Sequence, residues 1–324
     1  RFPPGFGKQS GSSQNRPRKR TVLKEGIIVV GSKKSAFLSN FIINLIFILV
    51  SICCVVPLLY IVSASLTSEV SLSTEGYSLI PGEFSVRAYE YIFQSPKQLI
   101  NSYMVTIGVT VVGTFFSLLF TSMLGYVIAR KDFKFHGLLS FLTLFTLLFN
   151  GGMVPTYILL NNYYHLGDTI FALILPYIIM PWHVFLMKGF FGDTPMSLIE
   201  AAKIDGASEV GIFFRIIIPI SKPAFAAVGL FIAFTYWNDW WLSLMYINDA
   251  TLNSLQYYLY RIMNNIQFLI TTMQAGNVSI DISNLPNESA RMALCVLAAG
   301  PMLFIFPFFQ KHFVKGLAVG AVKG

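Results

Sequence analysis

The chain has 324 residues, of which 55% are hydrophobic and only 12% are charged, and its formal net charge is +8. Soluble domains carry about 25% charged residues, so this composition excludes an ordinary soluble domain and predicts an all-α membrane protein. The basic residues are spread over several separate loops, which argues against nucleic acid as a partner.

Residues 1–35, at the start of the chain, are rich in Gly, Ser, Pro, Arg and Lys. Such a segment buries too little apolar surface to fold, so we predict a basic, disordered cytoplasmic tail. The tail either contacts anionic membrane lipid or only fixes the topology of the protein. Residues 36–324 form the predicted transmembrane permease domain.

Six apolar segments follow the tail, and each is long enough to cross a bilayer, which takes about 20 residues. The predicted transmembrane helices are Phe37–Val62, Met104–Ala129, Leu138–Leu160, Ile170–Phe190, Ala224–Ile247 and Met292–Phe309. In the long segment 248–291, the run LQYYLYRIMNNIQFLITTM predicts an amphipathic helix on the outer surface rather than a seventh span.

The distribution of Lys and Arg predicts the orientation, because these residues stay in cytoplasmic loops. If the N-terminus is inside, 19 of the 23 basic residues fall on the inner side, in the tail and in 130–137, 188–222 and 311–324. We therefore predict that both termini are cytoplasmic.

Helix breakers such as Gly151 and Gly152 interrupt several predicted spans. Broken backbone at membrane depth is tolerated where it lines a water-filled path, and close packing through small residues is the alternative interpretation. The aromatic residues near the end of the fifth span either stack on sugar rings or form an aromatic belt. The residues assigned to a candidate substrate path are Asn150, Gly151, Gly152, Tyr236, Trp237, Asn238 and Asp239.

Asp239 is the acidic residue that falls inside a predicted span, and intramembrane carboxylates are functional candidates. A proton-coupled secondary transporter that uses Asp239 is therefore the alternative function. The competing interpretation is a hydrogen-bonded, interfacial carboxylate beside Asn238. We expect no metal site, since the four His residues are scattered, and no nucleophile–base pair supports a catalytic site.

The segment 194–222 interrupts this apolar pattern with charged residues and helix caps. Thr194 predicts an N-cap, and Gly206 predicts a left-handed residue that ends the first helix. Ser208 caps a second helix, whose apolar stripe includes Ile212 and Phe213 and which is followed by proline at 219 and 223. We predict a rigid cytoplasmic helix–turn–helix with an exposed Phe213–Phe214 pair.

The spacing Glu200-Ala201-Ala202, then Gly206 after three residues, then Ile216-x-Ile218-Pro219 after nine, resembles the EAA motif of ABC importer permeases. Ile218 stands where that motif usually has Leu. The similarity extends over nearly the whole chain after Phe37. YEYIF, GYVIARKDF, YWNDWW and FVKGLAVGAVKG resemble the carbohydrate, maltose-type branch, which carries a C-terminal tail.

This resemblance implies the type I ABC importer permease fold in the cytoplasmic (inner) membrane of a bacterium, as part of an importer of sugars such as oligosaccharides, including uronate-containing ones. The implied partners are a second permease subunit, two ATPase subunits and an extracytoplasmic solute-binding protein. ATP and Mg²⁺ would bind in the ATPase subunits, and this chain would bind no cofactor. The chain is expected to be a transport subunit and no enzyme, because it contains no GxxxxGK[ST] phosphate-binding motif.

The resemblance also implies residue roles. The loop 194–222 would couple ATP hydrolysis to transport, and the tail 310–324 would contact the ATPases as well. The residues implied in coupling are Glu200, Ala201, Ala202, Asp205, Gly206, Ala207, Phe213, Phe214 and Pro219, and those implied in the tail contact are Gly316, Gly320 and Gly324.

Overall fold

A computed structural model of the protein describes residues 33–275 and 287–321. The predicted basic tail, apart from residues 33–35, lies outside the described residues, and so does Gly324. Within the described ranges every regular element is a helix, and the pairing of Thr67 with Phe84 is an isolated antiparallel bridge. The predicted all-α class is confirmed for this part of the chain.

Most of the helices are short. In chain order they are α1 (Lys33–Ser65), α2 (Glu69–Glu75), α3 (Arg87–Ile92), α4 (Pro96–Ala129), α5 (His136–Leu148), α6 (Met153–Ile158), α7 (Ile170–Ile174), α8 (Pro181–Gly192), α9 (Met196–Ile204), α10 (Glu209–Ile212), α11 (Ile218–Ile220), α12 (Lys222–Trp237), α13 (Trp241–Tyr246), α14 (Leu255–Ala275) and α15 (Glu288–Ala321). Short π-helical or 3₁₀ segments lie at Leu159–Tyr163, Leu175–Tyr177, Phe213–Ile217 and Ala250–Leu252.

The chain divides into two compact units within α1, after residue 54. The described side chains of the first unit, from residue 40 onward, are all exposed, as expected for a helix that faces lipid or another chain. The second unit, from residue 55 onward, contains all the contacts described below.

Three helices in the described ranges, α1, α4 and α15, are each long and apolar enough to cross a membrane. Three further apolar stretches are pairs of helices bent at a short break, by 111° between α5 and α6, by 49° between α7 and α8, and by 87° between residues 209–220 and α12. The helices therefore provide three to six spans, and the six predicted apolar segments correspond to these six units.

The breaks follow from the residues that occupy them. Gly152 caps α6 with a φ of +91°, a conformation that disfavours residues with a side chain. Pro181 is the first residue of α8, where a proline needs no backbone hydrogen bond. Ser221 separates α11 from α12, and prolines at 219 and 223 flank the 87° bend.

The prediction of one uninterrupted fifth span, Ala224–Ile247, is wrong. Helix α12 ends at Trp237, and α13 begins at Trp241. The Asp239 carboxylate accepts a hydrogen bond from the backbone N–H of Leu242 at 2.9 Å, so it satisfies a donor at the start of a new helix instead of continuing the old one.

Helix α15 extends beyond the predicted end of the sixth span at Phe309. Helix α15 continues to Ala321, so the predicted tail is helical over most of its length and Gly316 and Gly320 lie inside the helix. The predicted amphipathic helix of segment 248–291 is confirmed as α14.

Helix α4 lies at the centre of the second unit, where it packs against α8 and α12. Two glycines make this close approach possible. A Cβ atom on Gly113 would lie 2.7 Å from the Tyr236 ring, and one on Gly125 would lie 2.8 Å from the Cβ of Met187. Small residues at such crossings let membrane helices approach closely.

Candidate coupling loop

The loop 194–222 folds as the predicted helix–turn–helix, with a tight turn at Gly206. Gly206 has a φ of +79°, and its N–H donates to the Lys203 carbonyl at 3.0 Å. The N–H of Ala207 donates to the Ala202 carbonyl at 2.9 Å. These two bonds form a Schellman motif, which ends α9 and requires a left-handed residue at 206. The predicted role of Gly206 in the turn is confirmed.

The second helix of the loop has the predicted cap. The N–H of Gly211 donates to Ser208 Oγ at 3.1 Å, and Glu209 occupies the first turn of α10. Negative charge is favourable there because the first backbone N–H groups of a helix are unpaired. The predicted N-cap of the first helix, Thr194, is wrong, since α9 begins at Met196 and Pro195 takes the cap position without a side-chain hydrogen bond.

One face of the loop is buried against the rest of the second unit. Ile199, Ala202, Ile212, Phe213 and Ile217 belong to the same buried cluster as side chains from α4, α8 and α12. The predicted exposure of Phe213 is therefore wrong, because this residue lies on the apolar stripe that faces the core and is only 3% exposed.

The opposite face of the loop is apolar as well, and it is exposed. Ile204 is 86% exposed, Val210 62% and Phe214 46%. Of the remaining residues predicted for coupling, Glu200, Ala201, Asp205, Gly206, Ala207 and Pro219 are exposed, and Ala202 is buried. Exposed large apolar side chains on a loop that also carries exposed charged residues are typical of a surface that binds another protein.

The loop is joined to the end of α4 by an ion cluster, which consists of Arg130, Asp132, Lys203 and Glu209. Arg130 Nη1 donates to Glu209 Oε2 at 2.9 Å, and Arg130 Nε donates to Asp132 Oδ1 at 2.6 Å. Lys203 Nζ lies 2.9 Å from Glu209 Oε1 and 3.4 Å from Asp132 Oδ2. Arg130 is only 8% exposed, so its charge needs these partners.

The ion cluster shifts the titration of its members in the direction that keeps them charged. The hydrogen bonds from the Arg130 guanidinium hold the pKa of Asp132 well below its usual range. Burial raises the pKa of Glu209, but hydrogen bonds from Lys203 and Arg130 outweigh it, and the pKa of Glu209 is lowered. All four groups are therefore ionised near neutral pH.

An aromatic contact accompanies the ion cluster. The Tyr126 ring of α4 lies 5.5 Å from the Phe213 ring of the loop and 6.1 Å from the Phe191 ring of α8, centroid to centroid. The Tyr126 hydroxyl accepts a hydrogen bond from Arg130 Nη1 at 2.6 Å. The loop thus contacts α4 through both charged and apolar groups.

The ion cluster was not among the features predicted from the sequence. Arg130 and Glu209 are 79 residues apart, and nothing in a single sequence pairs two charges at that separation. The available signal was the fragment GYVIARKDF, which puts an arginine next to the end of an apolar span.

Part of the candidate substrate path lines an open space. Asn150 and Gly151 contribute, with Thr143 and Thr146 of α5, to a cleft of about 550 Å³. Asn150 Oδ1 accepts a hydrogen bond from the N–H of Gly152 at 2.9 Å, so the amide shapes the break between α5 and α6. A role in substrate passage stays a prediction.

The other part of the candidate path is more enclosed. Tyr236 and Trp237 are each only 2% exposed. The Tyr236 hydroxyl donates to the Ile174 carbonyl at 2.9 Å, and Trp237 Nε1 donates to the Ala298 carbonyl at 3.0 Å. Their polar atoms are thus satisfied inside the subunit, and neither side chain faces open space in this structure. Asn238 is exposed.

Comparisons with known proteins agree with this architecture. A family model described as the binding-protein-dependent transport system inner membrane component matches residues 121–319. The chain is 39% identical over 270 residues to protein LplC of Bacillus subtilis, an alignment that covers 83% of this chain and 90% of the relative.

Two further relatives carry names that state a transport function. One is the polygalacturonan/rhamnogalacturonan transport system permease protein YtcP of Bacillus subtilis, 39% identical over 84% of this chain and 93% of the relative. Another is the arabinooligosaccharides transport system permease protein AraQ of Halalkalibacterium halodurans, 30% identical over 90% of this chain and 99% of the relative.

A solved structure shares the fold. A chain in the crystal structure of a bacterial ABC transporter involved in the import of the acidic polysaccharide alginate matches with a TM-score of 0.70 and 24% identity, over 87% of this chain and 99% of that chain. The protein is therefore a permease of the ABC importer type, and it belongs to the family of binding-protein-dependent transport system inner membrane components. The predicted resemblance is confirmed.

Proposed function

We propose that this chain is a transmembrane subunit of an ATP-driven importer of oligosaccharides, in the cytoplasmic membrane of a bacterium. The observation that carries the proposal is the loop 194–222. It is capped at the start of α10 and at the end of α9, it is buried on one face, and its other face exposes Ile204, Val210 and Phe214. A connector between two spans needs no such exposed apolar face.

In the proposed mechanism the exposed face of the loop docks on an ATPase subunit. A second permease subunit, a second ATPase and an extracytoplasmic solute-binding protein complete the assembly. ATP binding favours one arrangement of the ATPases, and the docked loop makes the permease follow that arrangement. The ATPases supply the free energy, and the difference in docking free energy between the two states limits how far the loop can shift the permease. This chain itself supplies docking and movement, while ATP–Mg²⁺ is held by the partners.

The proposed substrates are oligosaccharides derived from plant or acidic polysaccharides, including uronate-containing ones. The names of two relatives, which refer to polygalacturonan and rhamnogalacturonan and to arabinooligosaccharides, support this class. The cleft next to the break between α5 and α6 supports it too, because Thr143, Thr146 and Asn150 offer hydroxyl and amide groups to a sugar.

The alternative, a proton-coupled transporter that uses Asp239, is not favoured. A titrating carboxylate needs to exchange its proton during each cycle. Both oxygens of Asp239 instead accept hydrogen bonds, one from Tyr177 at 2.7 Å and one from the N–H of Leu242 at 2.9 Å. The carboxylate therefore stabilises the fold through these two hydrogen bonds, and protonation would weaken them.

Isolation and uptake measurements test the proposal together. The tagged chain, solubilised from its native membrane, should co-isolate with subunits that contain a phosphate-binding GxxxxGK[ST] motif. In proteoliposomes with the solute-binding protein, uptake of oligogalacturonides or arabino-oligosaccharides should require ATP and persist with a protonophore. Uptake without ATP that a protonophore abolishes would instead establish the proton-coupled alternative.

The proposed topology has six spans and both termini in the cytoplasm. Single cysteines at Ser208 and at Gln94, in a background without the three native cysteines, provide a direct test. Both positions are exposed, the first in the loop 194–222 and the second between α3 and α4. A membrane-impermeant thiol reagent should label them from opposite sides. Labelling from the same side would contradict the six-span arrangement.

A further inference from the structure

Helix α4 contacts α14 and α15 near its N-terminal end and the coupling loop at its C-terminal end. Near its start, Thr106 Oγ accepts a hydrogen bond from the N–H of Leu255 at 2.8 Å, and the Tyr103 hydroxyl donates to the Leu297 carbonyl at 2.9 Å. Directly after its end, Arg130 bonds to Glu209 of the loop. One continuous helix of 34 residues, about 50 Å at 1.5 Å per residue, therefore connects the loop with α14 and α15.

The loop is also covalently connected to the membrane domain at both of its ends, to α8, which ends at Gly192, and to α12. The connection to α12 is bent by 87° between residues 209–220 and α12. Because of this bend at Ser221, which prolines flank, no single straight helix runs from the loop into α12. The contacts with α4 do not depend on that bend.

The ion cluster holds both halves of the loop at once. Lys203 lies on α9 and Glu209 on α10, and their side chains pair at 2.9 Å across the Gly206 turn. Arg130 then joins Glu209 to α4, with the Arg130 side chain 9% exposed and that of Glu209 55% exposed. A displacement of either helix of the loop is therefore transmitted to the guanidinium of Arg130.

We propose that Arg130 is the positioning residue through which displacement of the coupling loop passes to α4, so that the loop and the end of α4 move as one body during transport. This proposal rests on the proposed function and adds the path by which movement of the loop reaches the membrane helices of this chain. Arginine suits the role because its planar guanidinium binds Asp132 with two donors and Glu209 with another, a geometry that the single ammonium of lysine cannot reproduce.

Substitutions test this role in the assembled complex. Arg130→Gln should leave the ATPase subunits bound, because Arg130 is buried and lies outside the exposed apolar face, and both Arg130→Gln and Glu209→Gln should lower sugar uptake per ATP hydrolysed. We expect a fall of about tenfold or more, the factor that corresponds to loss of one charge-assisted hydrogen bond. Arg130→Lys should recover only part of it. The control is Lys131→Gln, which changes an exposed neighbour that forms no ion pair within the described part of the chain.

The double variant separates a shared contact from two independent effects. If Arg130 and Glu209 act through each other, Arg130→Gln combined with Glu209→Gln should be no worse than the more affected single variant. Multiplied effects, or a wild-type ratio of uptake to ATP in Arg130→Gln, would overturn the proposal. Failure of the wild-type chain to bind any ATPase would instead overturn the proposed function.

A distance measurement keeps the test valid if the variants are unstable. Spin labels at Lys131→Cys and Ser197→Cys, both exposed positions, report on the end of α4 and on α9. In the wild-type complex, their separation should be the same without nucleotide and with a non-hydrolysable ATP analogue. It should differ between those states in Arg130→Gln. A nucleotide-dependent separation in the wild-type complex would show that loop and helix move independently and would overturn the proposal.

Discussion

The hydroxyl of Tyr177 donates a hydrogen bond to Oδ2 of Asp239 at 2.7 Å. This bond joins the end of the short helical segment after α7 to the gap between α12 and α13, so it links two of the bent spans. The other carboxylate oxygen accepts from the N–H of Leu242. One aspartate thus stabilises a helix start and an interhelical contact at the same time.

Asp239→Asn should retain transport within a few-fold and leave its pH dependence unchanged. An asparagine can still accept from the N–H of Leu242 through its oxygen, and its amide can donate to the Tyr177 hydroxyl. Asp239→Ala loses both contacts and should cost about 1–3 kcal/mol of stability. Uptake assays and thermal unfolding of both variants provide the comparison. Loss of uptake in a stably folded Asp239→Asn would reopen the proton-coupled alternative.

Substitutions at Gly206 should distinguish the effect of the turn conformation on stability from its effect on ATPase docking. The left-handed φ makes Gly206→Ala cost about 1–2 kcal/mol, although no atom lies within 4 Å of the added Cβ. Asparagine tolerates this conformation better, so Gly206→Asn should be more stable. If docking requires a turn without a side chain at residue 206, both variants should bind the ATPase more weakly than the wild type.

The matched control is Gly192→Ala, which adds a Cβ to open space without a left-handed φ. Its stability should equal or slightly exceed that of the wild type, because Ala suits a helix better than Gly, and its ATPase binding should match the wild type. Thermal unfolding and co-purification report the two properties separately. Wild-type ATPase binding by Gly206→Ala and Gly206→Asn would show that the turn is only a connector.

Glu200→Ala should weaken ATPase association without destabilising the isolated permease. The Glu200 side chain is exposed and forms no hydrogen bond or ion pair with any described residue, so its charge is available to a partner. Surface changes of this kind alter stability by less than about 0.5 kcal/mol, whereas loss of a charge-assisted contact with a partner costs about 1.5–3 kcal/mol. Glu90→Ala, which removes an exposed acid from α3, is the control. Equal ATPase binding by the two variants would contradict the prediction.

The ion cluster should stabilise the permease throughout the neutral range. The pKa of Asp132 is lowered, chiefly by the hydrogen bonds from Arg130, and the pKa of Glu209 is lowered by Lys203 and Arg130 against the effect of burial. A carboxylate with a depressed pKa contributes stability that is fully present above its unfolded value, near pH 4, and is lost as the pH falls through the lower folded value.

Asp132→Asn should therefore lower the unfolding temperature by a constant amount above about pH 5, and the difference should shrink below about pH 4. Because the Asp132 side chain is 35% exposed, solvent screening limits the effect to about 1 kcal/mol. Thermal unfolding of both proteins between pH 3 and 8 measures the gap, with Asp193→Asn as the control for an exposed acid. A gap that opens or closes between pH 6 and 8 would be inconsistent with these shifts.

Local signals in the sequence predict the coupling loop well. The glycine at 206 and the serine at 208 act on backbone groups within a few residues, so their roles can be inferred without knowledge of the rest of the chain. The apolar stripe was also informative. It placed Phe213 on the same face as Ile212, and both are buried, which the separate prediction of an exposed Phe213–Phe214 pair overlooked.

Two features were not predicted from the sequence: a helix break inside an apolar segment and a contact between residues far apart in the chain. A hydropathy average passes over the break after Trp237, although Asp239 three residues before Leu242 is a local sign of a new helix. The pairing of Arg130 with Glu209 has no local sign at all. The family resemblance predicts that the loop docks on a partner, but it does not specify how the loop is joined to the rest of the subunit.

The bent spans also bear on how the ribosome and the insertion machinery build this protein. Each break frees backbone N–H and C=O groups, which cost several kcal/mol apiece in hydrocarbon unless another segment satisfies them. Helices α1 and α4 are continuous, so they satisfy most of their own backbone groups, and they are synthesised before all three bent pairs. We expect α4 to be inserted into the bilayer first and α8 and α12 to pack against it as they are synthesised. The helices would then assemble in the order of their synthesis.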